Sequence, residues 1–222
     1  MTPPQSFPAR PALSLIIAVF GGIVVGGAAI WADLAPYDQS LWYGLLNLFS
    51  TGAGWVLVAC LVGWVSPTMA RAISSGLIAM IVGMAVYYGA IAVLHIRPGT
   101  DGRDLLRVAL LWLVAGLATG LIVAPAAFLY RRGTPTQGAV TAGFIAGLTF
   151  SEPVMVAMQF PENLSISDHG VFAIVQWAAI ALAIVLAILA LAKHQTMVAL
   201  VSVGAGIGAG LIMWFLASSV IA

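Results

Sequence analysis

Charge is what this chain has least of. Only 7% of its 222 residues are Asp, Glu, Lys or Arg, against 62% hydrophobic, which is too little polar surface to cover a soluble globule. It reads as an integral membrane protein. Cys60, inside an apolar run, is the one cysteine; this excludes an intrachain disulfide and argues against a thiolate metal cluster. A formal net charge of +1 offers no basic footprint for nucleic acid. Period-2 alternation is missing from the apolar runs, so a membrane barrel is excluded. Missing too are a Walker A sequence, a dinucleotide fingerprint, an HExxH pair and a G-x-S-x-G elbow. His95 and His169 lack metal-ligand spacing to each other or to a carboxylate, and His194 beside Lys193 reads as a turn. No metal or cofactor is therefore expected. An enzyme acting on lipid would need a nucleophile or second acid near Glu152, where only Ser151 and Tyr88 are at hand, so no enzyme is expected either.

What the chain does have is long apolar runs. A helix needs roughly 20 apolar residues to cross the hydrocarbon core, and a lipid-exposed span must satisfy its own backbone, so such runs read as helices. Seven spans fit, at about 12 to 32, 41 to 66, 69 to 95, 105 to 130, 137 to 159, 170 to 192 and 196 to 220. The second is interrupted by "NLFSTGAGW". If residues 41–50 instead form an interfacial helix, the crossing starts near Gly52 and is short. The expected fold is thus an all-α, compact polytopic bundle of about seven transmembrane helices, with six as the alternative. Residues 1–11 form a tail and residues 12–222 a single helical membrane domain. The first apolar run, Ala12 to Ala32, exceeds the h-region of a cleaved signal peptide and is expected to stay.

Orientation follows from the basic residues. With the N-terminus cytoplasmic, Arg10, Arg71, Arg131, Arg132 and Lys193 lie inside, and Arg97, Arg103 and Arg107 outside. This is a positive-inside bias. Every acidic residue, from Asp33 to Asp168, then falls toward the outside. "GWVLVACLVGW", "LWLVAGLATG" and "QWAAIALAIVLA" each open a pair of spans that turns near a basic residue. The pattern suggests a lone helix plus three helical hairpins; chance recurrence of common membrane residues is the open alternative.

Small residues four apart share one helix face and let backbones approach closely. Gly22 and Gly26, Gly116 and Gly120, Gly143 and Gly147, Gly204 and Gly208, and Gly206 and Gly210 all have that spacing. Internal helix packing is expected of them, with a partner membrane protein as the alternative.

One carboxylate breaks the apolar pattern. In "LTFSEPVMVAMQF", Glu152 sits about seven residues before the outer end of its span, roughly 10 Å below that surface at 1.5 Å per residue. Pro153 cannot donate an N–H, so a kink and an unpaired carbonyl are expected between Thr149 and Glu152. A bare carboxylate at that depth is costly and should be paired, protonated or facing water. Asn47, Tyr88, Trp112 and Gln176 fall at similar depth in other spans, with Tyr87, Ser50 and Thr51 nearby. Together they suggest a pocket open to the outside with Glu152 as hydrogen-bond acceptor or counter-charge. The aromatic belt accounts equally for Tyr87, Tyr88 and Trp112.

At "NLFSTGAGWVLVACLVG", "AVYYG", "LWLVAGLATG" and "TFSEP" the chain resembles small multi-spanning bacterial inner-membrane proteins classed only as a domain of unknown function. That resemblance implies an inner-membrane location and a polytopic architecture, and carries no activity. A looser resemblance is to the S components of energy-coupling-factor importers, small substrate-binding bundles in which Gly22 and Gly26 would match a docking face; those usually have six spans. The expected role is to bind a small molecule from the outer face, as a transporter or its membrane subunit. The alternative is a structural or assembly subunit that docks a partner through its glycine faces. The lipid bilayer is the expected surrounding.

Overall fold

The computed structural model describes residues 11–34, 48–49, 51–94, 102–159, 164, 166–193 and 195–221. The apolar runs form seven helices among these residues, with no strand: α1 (Pro11–Leu34), α2 (Gly52–Val65), α3 (Met69–Leu94), α4 (Gly102–Arg132), α5 (Pro135–Gln159), α6 (Ile166–Leu191) and α7 (Thr196–Ile221). All but α2 are long and apolar enough to cross a membrane. The protein is a multi-pass integral membrane protein, and its long helices end within a few residues of the spans read from hydropathy.

The second span differs from a single run over 41–66. Its helix begins at Gly52 and has 14 residues, about 21 Å at 1.5 Å per residue, which falls short of a core about 30 Å thick. The break has a local cause. Thr51 is extended (φ −81°, ψ 163°), and a Cβ on Gly54 would lie 2.7 Å from Phe49 Cα and 2.8 Å from the carbonyl oxygen of Leu48. The glycine lets the incoming chain fold back onto the first turn of α2. Whether residues 41–47 form an interfacial helix lies outside the described residues.

Helix starts are written in short polar motifs. Before α5, the Gln137 amide donates to Thr134 Oγ1 at 3.2 Å while the Thr134 amide donates to Gln137 Oε1 at 2.9 Å. This reciprocal capping box is completed by Pro135 at the first helical position, where a missing N–H costs nothing. Thr68 does the simpler job for α3, accepting from the Arg71 amide at 3.2 Å.

Packing is by small residues. α1 lies on α3, where a Cβ on Gly22 would sit 2.6 Å from the Ala79 carbonyl oxygen and one on Gly26 would collide with that of Gly83. Gly76 of α3 and Gly120 of α4 meet face to face, each Cβ within 2.6–2.8 Å of the other's carbonyl oxygen. A Cβ on Gly116 finds Met84 Cε at 3.2 Å. α2 lies in turn on α4, with Gly63 against the Ala124 backbone. In the second half, α5 packs on α6 and α7: a Cβ on Gly143 would lie 2.7 Å from the Ala199 carbonyl oxygen, and Gly147 and Gly206 lie backbone to backbone with Val203 and Phe144. Gly204 and Gly208 face open space, since a Cβ on either would meet nothing within 4 Å; on α7 it is Gly206 and Gly210 that meet α5.

α5 is the most enclosed helix, packed against α2, α4, α6 and α7. Over its most apolar stretch 67% of residues are buried, against 17–33% in the other five long helices. It is also the least hydropathic of the six, as expected of a span that meets protein instead of lipid. Thr141, Thr149 and Ser151, all buried, bond back to carbonyls of their own preceding turn at 2.7–2.9 Å. A polar group is affordable on such a helix, and Glu152 is there.

Candidate functional site

Glu152 answers the start of another helix. α2 has no side-chain cap of its own: the Thr51 hydroxyl donates backward to the Leu48 carbonyl at 2.7 Å. The first N–H of α2, on Gly52, instead donates to Glu152 Oε2 at 2.9 Å across 100 residues of sequence. A carboxylate at a helix N-terminus meets both an orphan donor and the positive end of the macrodipole, a pairing worth roughly 1–2 kcal/mol in partly buried geometry. Gly52 suits the contact because a Cβ there would lie 3.3 Å from the same oxygen.

The third member is Gln176 of α6. It is 1% exposed, and its side chain lies beside the Glu152 carboxylate. Its Oε1 has no hydrogen-bond partner, which is uncommon for a buried side-chain oxygen and costs about 1–3 kcal/mol if nothing fills it. Three elements thus converge on one point: the N-terminus of α2, Glu152 on α5 and Gln176 on α6. Glu152 itself is half-buried and Gly52 exposed, so the group is open on the α2 side. Carboxylate and amide oxygens there accept hydrogen bonds, and they would suit a ligand rich in N–H donors or carrying positive charge.

Other residues expected at this depth have different neighbours. Thr51 is buried beside the group as the residue preceding α2. Tyr87 donates its hydroxyl to Asp33 of α1 at 2.5 Å, and the Tyr88 ring stands edge-on to Tyr87 at 4.9 Å between centroids. Trp112 of α4 meets Trp214 of α7 edge to face at 6.3 Å. Asn47 and Ser50 lie outside the described residues, as do His95, Arg97, Asp101, Glu162 and Asn163. Among the described residues no cluster of His, Cys, Asp or Glu could hold a metal ion.

Sequence reading passed over Gly52, because the functional atom there is a backbone amide and only the break before α2 hints at it. It also passed over how the opposite end of α2 is held. There Arg131 donates to the Trp64 carbonyl at 2.6 Å and Arg132 to that of Pro67 at 2.5 Å, while the Ser66 hydroxyl donates to that of Val62 at 2.7 Å.

No curated protein and no solved structure matches this chain, and the looser resemblance to the S components of energy-coupling-factor importers finds no support. A family model matches residues 5–220, nearly the whole length. The chain belongs to the family of unknown function DUF6518.

Proposed function

We propose that the protein binds a small, donor-rich or cationic molecule at the Glu152–Gln176–Gly52 group, reached from the outer face of the cell inner membrane, and serves as a transporter or as the membrane subunit of one. The observation that carries the reading is the unpartnered Gln176 Oε1, buried beside an intramembrane carboxylate; intramembrane ionisable groups mark ligand and ion paths by default. A short helix whose N-terminus ends at the site adds support, because helix N-termini inside a membrane expose backbone donors to substrates. The test is a ligand-dependent thermal-shift screen on detergent-purified protein, with wild type and Glu152→Gln side by side. A ligand at 100 times its Kd stabilises by about 2.7 kcal/mol. Amines or guanidinium compounds that stabilise wild type and not the variant support the reading; ligands that act equally on both count against this site.

A structural or assembly subunit is the second reading, favoured by the open face of Gly204 and Gly208 on α7. It predicts that the protein co-purifies with a fixed partner from native membranes, and that Gly204→Leu releases that partner without unfolding the chain.

A further inference from the structure

The end of the bundle opposite the acidic residues carries a second group of charges, arranged unlike an ordinary surface. Lys193, just past α6, lays its Nζ 4.5 Å from the centroid of the Tyr130 ring, and its stem covers Gly138, where a Cβ would lie 3.1 Å from Lys193 Cε. Tyr130 stacks obliquely on Trp64 at 6.0 Å. The Arg131 guanidinium lies 5.8 Å from the centroid of the Trp64 ring, and Arg132 lies over Phe128 at 5.4 Å. Lys193, Tyr130, Trp64 and Arg131 are thus linked contact by contact into a row at the ends of α6, α4 and α2. The neighbouring segments, 64–71, 128–138 and 190–196, contain no Asp or Glu.

Carbonyl contacts use little of this capacity. Arg131 and Arg132 each give one N–H to a carbonyl, out of five donors on a guanidinium, and Lys193 offers three donors to a ring face. Donors of that number without a carboxylate suit a phosphate. What reaches this place is set by its surroundings. The cations sit at the ends of membrane-crossing helices, and below them Leu61, Trp64, Ile188 and Leu191 present exposed apolar surface for acyl chains, with the rings at headgroup level.

We propose that Lys193, Arg131 and Arg132, with the Tyr130–Trp64 pair between them, form a binding site for the phosphate of an anionic phospholipid. The reading is independent of the Glu152 group. It is tested on the full-length protein in phosphatidylcholine nanodiscs doped with phosphatidylglycerol, measuring thermal stability and the lipid retained in native mass spectrometry. Wild type should be stabilised by phosphatidylglycerol and should retain it. Lys193→Gln and Arg131→Gln should each weaken retention about five-fold, the factor expected for one basic charge at a membrane surface, and Arg71→Gln, an exposed charge outside the row, should leave it unchanged. Among the described residues the Lys193 side chain bonds no carbonyl, and its backbone bond to Ala190 survives substitution, so its variant reads the site even if Arg131→Gln loosens α2. Equal retention by wild type and Lys193→Gln overturns the proposal, as does an equal loss in Arg71→Gln, which would mean diffuse charge. Inorganic phosphate reproducing the stabilisation in pure phosphatidylcholine would overturn the assignment to lipid.

Discussion

Alanine at Gly206 and alanine at Gly204 should change stability in opposite directions. The two glycines are two residues apart on α7, hence roughly 200° apart about its axis. A Cβ on Gly206 would collide with the Phe144 carbonyl oxygen and lie 2.9 Å from Leu148 N and 3.0 Å from Gly147 Cα, all backbone of α5. None of these can rotate away, so α7 must retreat by about 1 Å. A gap of that size forfeits up to half of the dispersion well at each contact, and with on the order of 20 atom pairs at about 0.15 kcal/mol the loss is about 1.5 kcal/mol. This falls inside the usual overpacking range of about 1–3 kcal/mol. Helix propensity returns up to about 1 kcal/mol, leaving Gly206→Ala destabilised by about 0.5–2 kcal/mol. Gly204→Ala meets nothing within 4 Å and keeps only the propensity gain, from zero to about 1 kcal/mol of stabilisation. Reversible unfolding in mixed micelles, followed by far-UV circular dichroism, measures both. Equal shifts, or a costlier Gly204→Ala, would refute the assignment of the packed face.

Other substitutions probe the remaining features. Glu152→Leu removes the acceptor of the Gly52 N–H and should cost about 0.5–2 kcal/mol, the range of a lost helix cap, whereas Glu152→Gln retains an acceptor and should cost less than half as much; the same unfolding assay compares them, and identical losses would deny Glu152 its capping role. Gln176→Leu removes a buried oxygen that has no partner but also the amide beside Glu152, so the two effects offset and the change should stay within about 1 kcal/mol in ligand-free protein; a loss above about 2 kcal/mol would mean the oxygen too is satisfied. Thr134→Ala should cost about 1 kcal/mol by opening the capping box, and Thr134→Ser should restore most of it. With Cys60 replaced by serine, a membrane-impermeant maleimide applied to intact cells should label a cysteine introduced at Leu164 and spare one introduced at Thr136; the reverse pattern would overturn the inside placement of the N-terminus.

How far the sequence shows all this depends on the kind of information needed. Helix positions were legible because span length is set by bilayer thickness, and apolar runs report it directly. The break before α2 was legible in "NLFSTGAGW", though that the helix starts at Gly52 needed the fold-back at Gly54. The face of α7 was not legible: Gly204–Gly208 and Gly206–Gly210 have the same spacing, and the sequence holds no signal for which side turns to α5. Glu152 stood out by its charge and Gln176 by its depth. The target of Glu152 did not, because it is an amide 100 residues away that any residue but proline could supply. Tyr87 went to Asp33 for a related reason: depth along an axis is one coordinate, and neighbours also need the rotation of each helix.

The way α2 is held has a consequence for biogenesis. Its positive end rests on a carboxylate from α5 and its negative end on guanidinium groups from α4, so neither anchor exists when α2 leaves the ribosome. Glu152 is made 100 residues after Gly52, a delay of roughly 5–20 s at ordinary elongation rates. For that interval the segment is too short to span the bilayer alone and lacks the Glu152 clamp, and for most of it the Arg131 and Arg132 clamps as well. It belongs to the late stage of assembly, settling against α4 and α5 after its neighbours have been inserted.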